Sequence, residues 1–347
     1  MEIGIGLDQG LQLTFGEQRD LIQEAVGLGY TSAWTPAGLT RDAFQICGQW
    51  AAAAEAAGGS LTTGIAVLPV PIWSAPALAA TAGTTSDLTG GRFILGIGTG
   101  GSYSEEYRRS LNLPAYPMVA LMRDYLVTLR RLLAGESVTY EGKAVTLRGV
   151  KLGFVPPRVP LYLGTLGPQM LRLAGEAADG AALNWCTPEQ IAWSREQIAE
   201  GARKAGRNPG DVQVVEYIRI CVDDDEDAAR RAYTRALLPY ALARPGASKE
   251  AGYRGHFARM GFDAALTDLE ERQARGTPMV ELVEAFPREL LKLVGYYGPA
   301  SGAAAAFRRL AEGLDVAMVR VVPARPGVDS VAAVMRACSP EKVRAAG

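Results

Sequence analysis

The chain has 347 residues, of which 48% are hydrophobic, and a formal net charge of -1 at pH 7. These values allow a large buried core and one α/β barrel of ordinary size. The sequence lacks the lysine and arginine cluster of a nucleic-acid surface, so we expect no nucleic-acid partner. It also lacks a long apolar run and a basic, apolar leader after Met1, so we expect no membrane partner and a cytoplasmic location.

Two residue types limit the chemistry. The four cysteines, Cys47, Cys186, Cys221 and Cys338, are scattered without a Cys-x-x-Cys pair. We therefore expect buried thiols rather than disulfides or a metal site. The single histidine, His256, lies in a polar, mixed stretch and is predicted to be a surface or loop residue.

Strand and helix patterns alternate along most of the chain. Predicted strands cover residues 2–7, 32–34, 61–68, 93–97, 161–164, 180–184, 212–222 and 316–322. Predicted helices cover residues 17–28, 42–57, 75–88, 117–133, 168–178, 188–205 and 330–338, and Asp42 is placed to cap the second of them. The eight strand and helix units predict a closed parallel (β/α)8 barrel, the TIM-barrel class of α/β fold.

Two segments interrupt this alternation. Residues 136–156 alternate around a Glu-Gly-Lys turn and predict a hairpin inserted after the fourth strand. Residues 230–300 are helical in pattern, with predicted loops at 245–246 and 276–278, and are too long for one crossover helix. We interpret them as an insertion after the seventh strand. No linker, repeat or charge block divides the chain, so we predict a single domain over residues 1–347.

The loop after the fourth strand is rich in glycine. Residues 96–101, with the sequence GIGTGG, formally match the dinucleotide pattern G-x-G-x-x-G. That pattern belongs in the first unit of a doubly wound sheet and leads directly into a helix. Here three strand and helix units precede it, and the residues up to Pro114 predict a loop. The segment therefore favours a barrel loop that brings backbone close to a ligand, since glycine has no Cβ.

A second candidate site follows the fifth strand. Gly164 would let a ligand approach the strand end, and Pro168 can occupy the first position of the next helix. The amides of such a helix start favour an anion such as a phosphate. An ordinary turn between a strand and a helix explains the same residues equally well.

The other predicted strand ends carry few titratable groups. Trp34, Trp73 and Trp185 either line an apolar pocket or pack loops onto the barrel rim. Asp8 either polarises a substrate or caps a loop, and the acidic run 223–227 indicates a helix start rather than a metal site. Because acid–base or nucleophilic catalysis would need more groups, the pattern favours a cofactor that carries the chemistry.

Three segments in order resemble the bacterial luciferase-like superfamily of (β/α)8 barrels. They are residues 63–69 (TGIAVLP), 88–100 (LTGGRFILGIGTG) and 161–168 (LYLGTLGP), the last followed by 174–180 (AGEAADG). The chain is most similar to the coenzyme F420-dependent branch, which is methylenetetrahydromethanopterin reductase-like. The resemblance runs from residue 1 to about 222 and returns at the last strand.

The resemblance implies a cofactor site. A non-prolyl cis peptide bond, which by position would join Ile65 and Ala66, lies behind the deazaflavin ring in relatives, and the phosphate tail binds after the fifth strand. The cofactor-binding residues that it implies are Ile65, Ala66, Thr99, Gly100, Gly164, Thr165, Leu166, Gly167, Pro168 and Asn184. It also implies a small-molecule substrate and a homodimer.

The chain departs from its relatives at two positions. Thr35-Pro36-Ala37 stands where many carry an aspartate and a histidine, and Gly101 stands where F420-dependent glucose-6-phosphate dehydrogenases have an acid. We therefore infer neither that substrate nor that acid–base pair, and take Asp8 and Trp34 as catalytic candidates.

Three functions follow as hypotheses. The first is an F420-dependent oxidoreductase that transfers a hydride between the deazaflavin and an organic substrate. The second is a reduced-FMN-dependent monooxygenase of the same superfamily, with FMN as the cofactor. The third is a barrel without catalysis that acts as a binding subunit.

Overall fold

The computed structural model describes residues 1–102, 104–243, 248–250 and 252–347. Its strands are β1 Glu2–Gly6, β2 Ser32–Thr35, β3 Thr62–Pro69, β4 Phe93–Gly98, β5 Val138–Glu141, β6 Thr146–Val150, β7 Leu161–Gly164, β8 Gly180–Asn184, β9 Gln213–Val222, β10 Gly295–Gly298 and β11 Val316–Val321. Its helices are α1 Phe15–Gly27, α2 Ala43–Ala56, α3 Ala75–Leu88, α4 Glu105–Ser110, α5 Met118–Leu133, α6 Pro168–Ala177, α7 Pro188–Lys204, α8 Glu226–Ala241, α9 Gly252–Phe257, α10 Asp263–Ala274, α11 Met279–Ala285, α12 Arg288–Leu293, α13 Ala300–Leu310, α14 Val328–Ala337 and α15 Pro340–Ala345.

Each predicted strand and helix is present, with bounds that differ by at most two residues. The cap of α2 is also confirmed, because the Asp42 carboxylate accepts the Gln45 N–H at 2.9 Å. Among the described residues, no helix combines the length and apolar character needed to cross a bilayer.

The chain forms two compact units. The first comprises Met1–Tyr217 and Gly313–Met318, and the second comprises Ile218–Glu312 and Val319–Gly347. The single domain over residues 1–347 stays a prediction.

The first unit contains a closed ring of parallel strands. Their order is β1-β2-β3-β4-β7-β8-β9-β11, and β11 returns to β1. The ring closes because the amino-terminal half of β9 pairs with β8 and also reaches β11, where Asp315 donates its N–H to the carbonyl of Val214. The predicted (β/α)8 barrel is therefore confirmed.

Large side chains fill the ring. Trp34, Tyr162, Tyr217 and Met318 belong to one buried cluster in its interior, and the rings of Trp34 and Tyr162 stack with centroids 6.2 Å apart. Such interior layers make the ring a packed core rather than a pore. Ligand chemistry is consequently confined to the ends of the strands.

The predicted hairpin after β4 is confirmed as the antiparallel pair β5–β6. A buried carboxylate on α5, Asp124, holds it in place. This side chain accepts hydrogen bonds from the Tyr140 hydroxyl at 2.7 Å, from the Ala144 N–H at 2.7 Å and from the Val145 N–H at 3.2 Å. Three donors compensate the burial of a charge that would otherwise be costly.

The second unit contains the end of β9, the end of β11, β10 and α8–α15. β10 pairs in parallel with the end of β9, with Gly295 opposite Arg219. The acidic run is confirmed as a helix start, because the Asp225 carboxylate accepts the Ala228 N–H at 3.0 Å and caps α8.

Three sequence predictions are wrong in detail. The predicted loop 102–114 contains α4, and the helical pattern 230–300 contains β10. His256 is a buried residue of α9 rather than a surface or loop residue. Its polar neighbour Arg254 is buried as well, because Glu270 accepts the Arg254 Nε–H at 2.7 Å. The predicted loop at 245–246 lies outside the described residues.

Candidate functional site

The carboxyl ends of the first six ring strands form a rim with little charge. These strands are β1, β2, β3, β4, β7 and β8, and the three residues that follow each of them contain one carboxylate, Asp8. In a barrel of this kind the site lies at this rim. Among the described residues, no three histidine, cysteine, aspartate or glutamate side chains converge as a metal site would require.

The end of β3 bulges towards the rim. Its register against β4 shifts between Ile65 and Leu68, so one extra residue is accommodated there. A cis peptide bond joins Ala66 and Val67. The resemblance correctly implied a non-prolyl cis bond in β3, but it placed the bond one residue too early, between Ile65 and Ala66.

Glycines on the neighbouring strands make room for this bulge. A Cβ on Gly98 would lie 2.7 Å from Cγ2 of Val67, and a Cβ on Gly164 would lie 3.0 Å from Cγ1 of the same side chain. Gly100, at φ +56°, faces Pro69 in the same way, with a Cβ placed 2.6 Å from that ring. We call Gly98, Gly100 and Gly164, together with Val67 and Pro69, the glycine cradle. Because these three glycines lack a Cβ, the Val67 and Pro69 side chains pack directly against backbone at the rim.

The loop after β4 is held by its own polar contacts. The Ser102 hydroxyl donates to the carbonyl of Thr99 at 2.6 Å, and Arg108 of α4 donates to the carbonyl of Ser102 at 2.8 Å. The backbone around Thr99 and Gly100 is thereby fixed at the rim by the helix that sequence analysis missed.

The start of α6 is open to an anion. Gly167 is its N-cap and Pro168 its first residue, as predicted, and no side chain caps it. The amides of Gln169 and Met170 therefore have no partner within the helix. Such a start favours negative charge.

A buried hydroxyl lies just before this helix. Thr165 is 5% exposed and donates its backbone N–H to the carbonyl of Ala182 at 3.1 Å. Its Oγ1 has no hydrogen-bond partner among the described residues. Because buried polar groups are normally satisfied, this oxygen is available to hydrogen-bond a group bound at the start of α6.

The two catalytic candidates differ in access. Asp8 is half-buried after β1, and its carboxylate accepts the Gly10 N–H at 2.7 Å. Trp34 is 0% exposed, and its indole N–H donates to the Ser32 hydroxyl at 2.8 Å. The structure therefore gives Trp34 a packing role below the rim, and its part in catalysis stays a prediction.

Trp73 and Trp185, the other two tryptophans predicted to lie at strand ends, also pack. Trp185 is fully buried at φ +61°, and Trp73 makes an edge contact with Phe44 at 5.6 Å while its carbonyl accepts the Tyr125 hydroxyl. Burial raises the pKa of Tyr125 to about 12. This phenol is consequently neutral at physiological pH.

The end of β8 brings a thiol to the site without activating it. Asn184 ends the strand half-buried, and the N–H of Cys186 donates to Glu216 Oε1 at 2.6 Å. Burial, together with the nearby Glu216 charge, raises the pKa of the Cys186 thiol well above its usual value. A thiol held protonated in this way is a poor nucleophile.

Sequence analysis missed Val67, Glu216 and the contact between Ser102 and Arg108. The paired glycines at 98 and 164 were the available signal for Val67, since both lie beside the same side chain. Glu216 was missed although a carboxylate within a mostly apolar strand is itself a signal, because charged residues are rarely buried without a partner.

The family model described as luciferase-like monooxygenase matches residues 2–314. One curated relative is the 5,10-methylenetetrahydromethanopterin reductase of Archaeoglobus fulgidus, which is 35% identical over 189 residues. That match covers 52% of this chain and 56% of the relative, so the similarity spans about half of that protein's length.

Solved structures extend the similarity of fold over nearly the whole chain. The coenzyme F420-dependent tetrahydromethanopterin reductase of Methanopyrus kandleri has a TM-score of 0.77 at 21% identity and covers 96% of both chains. An F420-dependent secondary alcohol dehydrogenase, solved with an F420–acetone adduct, has a TM-score of 0.74 at 20% identity and covers 99% of both.

The match to the family model covers most of the chain and identifies its class of enzyme. The chain belongs to the luciferase-like monooxygenase family, as the sequence resemblance implied.

Proposed function

We propose that the chain is an F420-dependent oxidoreductase that transfers a hydride between the deazaflavin and an organic substrate. One observation carries the proposal: the uncapped start of α6 follows the unpartnered, buried Thr165 hydroxyl and lies beside the glycine cradle. The first two features suit a phosphate, and the partly buried Val67 side chain of the cradle offers an apolar surface for a flat ring. The relative from Archaeoglobus fulgidus and the two solved structures, all named as reductases or dehydrogenases, support this choice.

The residues of the rim would have separate roles in binding the cofactor. When bound, F420 supplies the carbon that accepts or releases the hydride, C5 of the deazaflavin. The amides of Gln169 and Met170 and the Thr165 hydroxyl would hold the phosphate, and Val67 would support the ring from the side of β3. Trp34 would keep the floor of the site rigid and dry.

Asp8 has a separate place in the proposal. It is the carboxylate nearest in sequence to the carboxyl end of a ring strand in the first unit, and the Gly10 N–H orients it. We assign it to orienting or polarising the substrate. The remaining predicted cofactor contacts, Ile65, Ala66, Leu166 and Asn184, stay predictions.

The reduced-FMN-dependent monooxygenase is the second candidate, and the description of the matching family favours it. FMN also carries a phosphate, so the start of α6 fits both cofactors. A barrel without catalysis is the third candidate. The homodimer, the small-molecule substrate and the cytoplasmic location also stay predictions.

Cofactor fluorescence separates the three candidates. Purified protein, freed of bound cofactor, is titrated with F420 and, separately, with FMN, and the fluorescence of each cofactor is followed. We expect saturable binding of F420 with at least about tenfold preference over FMN, which corresponds to 1.4 kcal/mol. Preference for FMN would move the assignment to the monooxygenase, and binding of neither would favour the barrel without catalysis.

A further inference from the structure

Helices α6 and α7 approach each other through two glycines. Gly175 of α6 and Gly201 of α7 are both buried. A Cβ on Gly201 would lie 2.7 Å from the Cα of Arg172, and a Cβ on Gly175 would lie 2.8 Å from the backbone nitrogen of Ala202. A Cβ on either glycine would also overlap a backbone carbonyl oxygen of the other helix. The contact is thus backbone against backbone, which no flexible side chain can relieve.

A guanidinium fixes the far end of α6. Arg207, just past α7, donates to the carbonyl of Gly175 at 2.7 Å and to the carbonyl of Ala178 at 2.8 Å. These carbonyls lie in the last turn of α6 and at its C-cap, where a cation is favourable. The helix is therefore held by glycine contacts at Arg172 and Gly175, from its middle onwards, and by an arginine clamp in its last turn.

The other end of the same helix is the proposed phosphate site. α6 has ten residues and is consequently about 15 Å long. A rigid rod of this length transmits a displacement of its carboxyl-terminal half to its first amides. Amides that bind an anion must be correctly placed to be effective, since a shift of about 1 Å can cost much of the interaction.

We infer that Gly175, Gly201 and Arg207 are positioning residues that set the affinity of the start of α6 for the phosphate of the cofactor. They act through the placement of α6 and touch no ligand themselves. The inference rests on the proposed function. If these residues act in this way, replacing them should weaken the binding of the cofactor's phosphate and leave the binding of its ring unchanged. A general loss of stability would weaken both.

The test compares two ligands on the same variants. The probes are F420 and its phosphate-free deazaflavin core, each titrated by fluorescence against wild type, Gly201→Ala and Gly48→Ala. Gly48 is the matched control, because it lies within α2 and a Cβ there would meet no atom within 4 Å. Thermal unfolding of each variant shows that the titrated protein is folded.

We expect Gly201→Ala to bind F420 about fivefold more weakly, as partial loss of charge-assisted amide contacts would produce, and to bind the core as wild type does. Gly48→Ala should match wild type with both probes. Equal weakening of both probes, or no change in either, would overturn the inference.

Arg207→Gln provides the second test if Gly201→Ala does not fold. It removes the clamp without adding volume, and the same selective loss of F420 affinity is expected. Wild-type protein in the same series reports on the proposed function separately. If wild type does not bind F420, the proposed function fails and the inference falls with it; if wild type binds F420 and the variants show no selective loss, only the inference fails.

Discussion

Replacing Gln169 with glutamate is expected to weaken F420 binding about thirtyfold. Gln169 is the second residue of α6 and its side chain is exposed, so the substitution adds a carboxylate beside the proposed phosphate site without filling space. Two negative charges about 6 Å apart, at an effective dielectric constant of about 30, repel each other by about 2 kcal/mol, which is about thirtyfold in affinity.

The same substitution should not destabilise the protein. A carboxylate in the first turn of a helix interacts favourably with the helix dipole. We therefore expect weaker F420 binding together with an unchanged or higher stability. Partial unfolding would instead lower both. Fluorescence titration gives the affinity and thermal unfolding gives the stability.

Gln169→Lys is the matched control of opposite charge. It places a cation at the same position, so F420 should bind more tightly than to wild type. If glutamate and lysine at position 169 leave the affinity for F420 equal, the phosphate of the cofactor does not lie at the start of α6.

Replacing Gly96 with alanine is expected to lower the free energy of unfolding by about 3 kcal/mol, the upper end of the usual cost of overpacking a core. Gly96 is buried in β4, opposite Tyr162 of β7. A Cβ there would overlap the carbonyl oxygen of Ile65 and lie 3.4 Å from the Cα of Ala66. Strand backbone would have to move, because no side chain can yield.

Urea unfolding measures this effect, with Gly48→Ala as the control. Alanine at position 48 should leave the midpoint unchanged or raise it, since alanine is the better helix former by up to about 1 kcal/mol. Equal midpoints for Gly96→Ala and wild type would contradict this expectation, because β3 and β4 would then be able to move apart at the bulge without a loss of stability.

The barrel could be predicted from sequence because its elements are strongly patterned. Buried strands such as 161–164, glycine stops and the Asp42 cap fix element type locally, and eight units in alternation leave few other folds. The hairpin at 138–150 was also predictable, because alternation around a tight turn has few other solutions.

Features that depend on tertiary contacts could not be predicted in this way. His256 is buried in α9 beside Arg254, which pairs with Glu270 sixteen positions away in sequence. α4 has only six residues, too few to show a helical period, and β10 is a four-residue strand within a segment that is otherwise helical. The cis bond lies within the bulge of β3, which is visible only in the register of β3 against β4.

Part of the candidate site could be predicted, because some of its features depend on local sequence signals. The open start of α6 follows from Gly167 and Pro168, which are local signals. The burial of Trp34 could not be predicted, because Gly4 and Gly64, which make room for its indole, lie on other strands.

A crystal structure of the protein with F420 tests the central claim most directly. We predict that the phosphate of the cofactor lies within hydrogen-bond distance of the Gln169 and Met170 amides and of Thr165 Oγ1, with the deazaflavin ring against Val67. Electron density for the phosphate away from the start of α6, or for the ring away from the glycine cradle, would contradict the account.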